Sequence, residues 1–246
     1  MKSDRMTIAI NGTPGLPSSL GKEETKMLST EVTLADLAVA KPGAARIFLD
    51  YGLDFCCRGR RPLTEACAEK GLDVNQVFQA IETLRDAAED LTPWNQRPLE
   101  DLIDHVVGRY HGWLRTELPG LLQMARKVEA AHAGKTTVPA GLAAHLNQLH
   151  AETLAHLQKE ETILFPMIRR GQGRDCDGPI QVMEAEHRDV GAALERVRSL
   201  TANLNAPPEA CTTWRALYLG LGQLEKEFMQ HIHLENNILF PRALCR

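Results

Sequence analysis

His156-Leu157-Gln158-Lys159-Glu160-Glu161-Thr162-Ile163-Leu164-Phe165-Pro166 and His231-Ile232-His233-Leu234-Glu235-Asn236-Asn237-Ile238-Leu239-Phe240-Pro241 are two copies of one pattern, H-x-x-x-E-x-x-I-L-F-P. Residues four apart on a helix lie one above the other, so each copy aims an imidazole and a carboxylate at one point. The apolar Ile-Leu-Phe that follows sets each His/Glu pair on or beside a core face. The closing proline is expected to end or kink each helix in the same place. Two buried His/Glu stripes of this kind invite a metal.

The segments around the copies are amphipathic with helical period. Residues from about 99 to 129 carry an apolar stripe of Leu102, Ile103, Val106, Tyr110, Leu114 and Leu118, and His111 falls inside it. Residues from about 140 to 168 bring Leu142, Leu146, Leu149 and Leu157 down to the first copy. Between about 179 and 200, His187 stands four after Met183 and three before Val190, and from about 209 to 240 Trp214, Leu217, Leu221, Leu224 and Phe228 lead to His231. Short joins between such segments predict an up-down four-helix bundle over 99–246.

His111 precedes His156 by 45 residues and His187 precedes His231 by 44, so the bundle reads as two similar hairpins, each bringing two histidines and one glutamate. Six ligands, His111, His156, Glu160, His187, His231 and Glu235, are too many for one four-coordinate zinc. They suit two metals, each near a 2-His-1-carboxylate set, with iron the first choice and manganese the second. Left without a partner, these inward polar groups would cost several kcal/mol.

The other histidines fail this test. His233 lies about 200° round the helix from His231, and His105 and His150 about 120° off a ligand face, so all three are expected on the surface. His145 shares the His156 face three turns away. Glu152, one turn before His156, and Glu186, beside His187, read either as groups that hydrogen-bond ligands or line a channel, or as solvated carboxylates.

A length of 246 residues allows a large domain plus a small one. Lys+Arg 28 against Asp+Glu 32 gives a net charge of -4 with no basic block, which argues against a nucleic-acid partner. No stretch reads as a signal peptide or a membrane span, so the expectation is a cytoplasmic protein with no membrane partner, its six scattered cysteines kept as thiols. Residues 1–28, rich in Gly, Pro and Ser, read as a disordered leader. Residues 29–91 carry the punctuation of four short helices: Thr33 with Asp36, Pro42 to Gly52, Pro62 to Gly71, and Asp73 with Gln76. Residues 92–98, with Pro93 and Pro98, read as a linker. The fold class is therefore all-α, a small N-terminal helical domain followed by the bundle.

In the loop after Gly52 stands Cys56-Cys57-Arg58-Gly59-Arg60-Arg61. Three arginines so close would favour thiolate and raise reactivity, suiting metal, nitrosyl or redox chemistry. Two adjacent thiols are not a chelate spacing, and the pair reads equally well as small apolar fillers beside a solvated turn.

With these motifs in hand, residues 99–241 resemble a hemerythrin-like bundle, and residues 30–91 resemble the N-terminal domain of the RIC (repair of iron centres) family of di-iron proteins. The likeness rests on the vicinal cysteines, Arg109-Tyr110-His111, Lys159-Glu160-Glu161-x-Ile-Leu-Phe-Pro-Met, Glu184-x-Glu186-His187 and His231-x-x-Leu-Glu235-Asn-Asn-x-Leu-Phe-Pro-Arg, in that order. Compared with oxygen-carrying hemerythrins, Gly191 stands where a second histidine would follow His187, and the fourth helix offers a glutamate at i+4, which argues against reversible oxygen carriage. The resemblance implies a stress-response protein that restores iron-sulfur clusters damaged by nitric oxide or peroxide. It implies two non-haem irons bridged by Glu160, Glu235 and an oxo group, with nitric oxide or oxygen as small ligand and damaged iron-sulfur proteins as partners. Cys56 and Cys57 would accept or pass on iron or a nitrosyl. The sequence leaves open a nitric oxide reductase activity, a homodimer, a module that senses nitric oxide or oxygen without turnover, and a metal-free helical interaction protein.

Overall fold

The computed structural model describes residues 32–83 and 94–245. The expected leader, and residues 84–93 where the linker is expected to begin, lie outside the described residues. Among those described, the regular secondary structure is helical, apart from an isolated bridge between Thr33 and Pro62.

The first four helices are α1 (Leu34–Ala40), α2 (Ala44–Asp50), α3 (Leu63–Lys70) and α4 (Val74–Glu82). Thr33 opens α1 with a reciprocal cap, its hydroxyl accepting from the Asp36 N–H while the Asp36 carboxylate accepts from the Thr33 N–H. Gly71 closes α3 at φ +65°, a left-handed conformation that costs a side-chain-bearing residue roughly 1 kcal/mol more. At the start of α4, Asp73 accepts from the Asn75 N–H. Leu34, Phe48, Leu53, Phe55, Leu63 and Ile81 fill the core between these helices.

Four long helices follow. The first, α5, runs through Leu99–His105, a π turn Val106–His111 and Gly112–Ala131. The second, α6, runs through Leu142–Lys159, a π turn Glu160–Leu164 and Phe165–Arg169. The third, α7, is Asp177–Leu200 after a 3₁₀ turn, Gly173–Cys176. The last, α8, runs through Thr212–Leu234, a π turn Glu235–Leu239 and Phe240–Leu244. In this up-down order α5 packs on α6 and α8, and α6 packs on α7.

The π turns carry each helix past its proline rather than ending it there. The N–H of Phe165 bonds back to the Glu160 carbonyl and that of Phe240 to the Glu235 carbonyl, five residues away rather than four. This wider turn takes up the ring and missing donor of Pro166 and Pro241, so neither helix ends there. It also rotates the residues beyond it. Ile163 faces out, 53% exposed, while Leu164 and Phe165 are buried.

The bundle core is two apolar layers. Leu118, Leu121, Leu146, Trp214 and Leu221 belong to one, and Leu102, Ile103, Ile180, Leu239 and Phe240 to the other. His111, His156, Glu160, His187, His231 and Glu235 lie in the bundle core, none more than 6% exposed.

The small domain packs on the bundle, α1 against the π turn of α8. His233, expected on the surface, is therefore buried. Its ring meets Phe55 at 5.3 Å, and Asn237 Nδ2 bonds both its Nδ1, at 2.8 Å, and the Phe55 carbonyl, at 3.0 Å. It does point away from the His231 face, but the small domain covers that side. His105 is half-buried as well, stacked on Trp94.

Candidate metal centre

Each candidate ligand comes from one of four helices, and the helices are placed by their apolar stripes. Two clusters of donor atoms result: His111, His231, Glu160 and Glu235, and His156, His187, Glu160 and Glu235, each set lying within 4.8 Å. The histidines pair across the two hairpins rather than within them. Both carboxylates belong to both clusters, so the two sets of donors share one pair of glutamates.

The imidazole nitrogens are arranged for a cation. His111 Nε2 lies 3.1 Å from His231 Nε2, and His156 Nε2 lies 3.1 Å from His187 Nε2. His111 Nδ1 is 2.7 Å from Glu161 Oε1 and His156 Nδ1 is 2.9 Å from Glu186 Oε2. A carboxylate only accepts, so Nδ1 carries the proton and Nε2 of the neutral ring is a lone pair aimed inward. His187 Nδ1 donates to Asn236 Oδ1 at 2.8 Å, the amide being oriented by its own Nδ2 bond to the Cys56 carbonyl. His231 Nδ1 has no partner, and its ring stacks on Tyr110.

Lone pairs face carboxylates here. Glu160 Oε2 is 3.4 Å from Nε2 of both His111 and His156, and neither oxygen of Glu160 has a hydrogen-bond partner. Glu235 Oε1 is 3.0 Å from His231 Nε2 and Oε2 is 3.2 Å from His187 Nε2. Burial alone raises the Glu235 carboxyl, but the charges and hydrogen bonds of His231 and His187 outweigh it and hold the group well below the usual carboxylate range. Burial likewise lowers His156, but Glu160, Glu235 and Glu186 raise it to about 9, whereas His111 is lowered by burial and by the charge of His231. Protons and cations compete for the same buried lone pairs. The donor set fits two divalent cations, which would give partners to the orphaned oxygens of Glu160 and separate the facing nitrogens.

Of the two carboxylates that read either as ligand supports or as solvated groups, Glu186 is beside the ligands, bonded to His156 and held by Lys159. Glu152 is not: it is exposed and accepts from Gln148. Sequence reasoning missed Glu161, which follows a ligand and so looks misphased by about 100° on an α-helix. The π turn brings it to His111, and Arg115 clamps it with bonds of 2.9 and 3.0 Å.

Cys56 and Cys57 reach this site directly. Cys57 Sγ donates to the His187 carbonyl at 3.3 Å, while Asn236 ties the Cys56 carbonyl to the His187 ring. The arginines do not make a reactive thiolate of Cys56, because Arg58 and Arg61 pair with Glu69 and Arg60 pairs with Glu184. The hydrogen bond with Cys57, burial and the nearby Asp54 push the Cys56 thiol well up.

Comparison with known proteins agrees with this architecture. Residues 102–243 match the model of the hemerythrin HHE cation binding domain, and residues 30–85 match ScdA_N, a domain of unknown function. The chain is 48% identical over 211 residues to the iron-sulfur cluster repair protein YtfE of Edwardsiella ictaluri, covering 86% of this chain and 96% of that one. It is 46% identical over 212 residues, with the same coverage, to the proteins of that name from Citrobacter koseri and Escherichia coli. The chain belongs to the family of iron-sulfur cluster repair proteins that join an ScdA_N domain to a hemerythrin HHE cation binding domain.

Proposed function

We propose that this chain restores damaged iron-sulfur clusters, and that its bundle holds two non-haem irons. His111 and His231 would ligate one, His156 and His187 the other, and Glu160 and Glu235 would bridge both. When bound, the irons supply sites for nitric oxide and a store of exchangeable metal. The observation that carries this reading is the shared pair of carboxylates, one with both oxygens unpartnered, between two pairs of inward-facing imidazoles.

The chain's own part is to bind and to orient. Glu161, Glu186 and Asn236 hold the Nδ1 protons of His111, His156 and His187 and so fix which nitrogen faces the metal. The apolar layers on either side keep bulk water away from the carboxylates. Cys57, bonded to the His187 carbonyl, and its neighbour Cys56 would accept or pass on iron or a nitrosyl.

The test follows recovery of a nitric oxide-damaged iron-sulfur enzyme, with iron content and helicity measured on the same samples. The Cys56→Ser/Cys57→Ser protein should keep its iron and its fold but lose repair. Repair at the parental rate would reduce the pair to packing, and loss of iron with repair would make it part of the dinuclear centre. No helix among the described residues is long and apolar enough to cross a membrane.

A further inference from the structure

Adjacent cysteines rarely chelate one cation, yet this loop turns both side chains to the same side. Cys56 Sγ and Cys57 Sγ are 3.6 Å apart, and Asp54 Oδ1 lies 3.4 Å from Cys56 Sγ. One oxygen of Asp54 and both sulfurs lie within 4.8 Å of one another. A disulfide would bring the sulfurs to about 2.05 Å, which these free thiols do not approach. Around a tetrahedral cation with metal–sulfur bonds of about 2.3 Å and metal–oxygen bonds of about 2.1 Å, the S···S edge is about 3.8 Å and the S···O edge about 3.6 Å. Two of the three donor–donor distances already stand close to the edges of such a tetrahedron.

The loop is held in this form by hydrogen bonds to its own backbone. Asp54 Oδ1 accepts the Cys57 N–H at 2.9 Å, and the Cys56 carbonyl is fixed by Asn236 at 3.0 Å. Gly59 closes the loop so tightly that a Cβ there would stand 2.3 Å from the Phe55 carbonyl oxygen. Both cysteines line two clefts, of about 450 and 250 Å³, so a fourth coordination position has access to solvent. Arg58, Arg60 and Arg61 also line the smaller cleft.

We propose that Asp54, Cys56 and Cys57 form a third, mononuclear site for a thiophilic divalent cation, separate from the dinuclear centre and seated over His187. Binding forms two metal–sulfur bonds and one metal–oxygen bond, and the two thiol protons leave to solvent. The identity of the natural cation as iron(II) rests on the iron-transfer reading above. The existence of the site does not.

Cobalt(II) is the probe, because only thiolate ligands give it sulfur-to-metal charge-transfer absorption and the bundle ligands contain no sulfur. Titrating the iron-loaded full chain should add one cobalt per chain together with that absorption, the bundle iron remaining in place. Cys57→Ser should abolish the absorption. Asp54→Asn keeps an acceptor for the loop N–H groups but removes the anionic ligand, and should weaken cobalt by at least the roughly 10- to 100-fold typical of groups that merely support a ligand. Absence of the absorption in the parent chain, its persistence in Cys57→Ser, or unchanged affinity in Asp54→Asn would each overturn the proposal. A chain that takes up cobalt here but holds no bundle iron would instead refute the dinuclear reading and leave this site standing.

Discussion

His233 should make the junction of the two domains sensitive to acid. Burial pushes its pKa from 6.5 down to about 4, and its neighbours, Phe55 and Asn237, offer no charge to stabilise an imidazolium. In the unfolded chain the imidazole titrates at its ordinary value. Between about pH 6.5 and pH 4 the unfolded state therefore binds a proton that the folded state does not. The contribution is complete above this window, declines as pH falls through it and levels off below. At about 1.4 kcal/mol per unit, the gap amounts to about 3 kcal/mol over the whole window and about 2 kcal/mol by pH 5. His233→Gln retains a partner for Asn237 and cannot titrate in this range. Urea unfolding of both proteins at about pH 7.5 and pH 5, with equal iron content, isolates the difference. The variant should start less stable, having lost packing against Phe55, but should lose about 2 kcal/mol less on acidification. Parallel losses in the two proteins would refute the reasoning.

Two further outcomes follow from the same geometry. Gly59→Ala would drive a methyl group against the Phe55 carbonyl at 2.3 Å and against Ala35 at 3.1 Å, so it should destabilise the chain by roughly 1–3 kcal/mol, read as a lower urea midpoint. Chelating the iron should lower the melting temperature on the order of 10 °C, since it leaves Glu160 buried without partners and two pairs of nitrogens facing at 3.1 Å. An unchanged melting temperature, followed by circular dichroism, would mean that these groups are satisfied without a metal.

Much of this site was legible because its signal is periodic. Four apolar stripes fix which way the histidines face, and the repeated His-x-x-x-Glu spacing adds the carboxylates, so the inward set can be read from spacing alone. Spacing cannot say how hairpins close. The pairing of His111 with His231, and of His156 with His187, depends on which helices are neighbours. The π turns left no periodic trace either, and with them went Glu161, whose phase is right only on a widened turn. His233 was misplaced for a different reason: it lies about 200° round α8 from His231, and only the docking of a second domain, invisible to a helical wheel, buries it. Docking also turns Cys56 and Cys57 from an ambiguous loop pair into neighbours of His187.

In the proposed dinuclear centre Glu160 and Glu235 each serve two cations. Iron analysis of the purified chain tests it most directly, comparing the parent with Glu160→Ala, Glu235→Ala and the double variant, each checked for helicity. Two irons per folded parent chain are expected, with a loss in either single variant that reaches both positions and almost none left in the double variant. Full iron content in a folded double variant would contradict it.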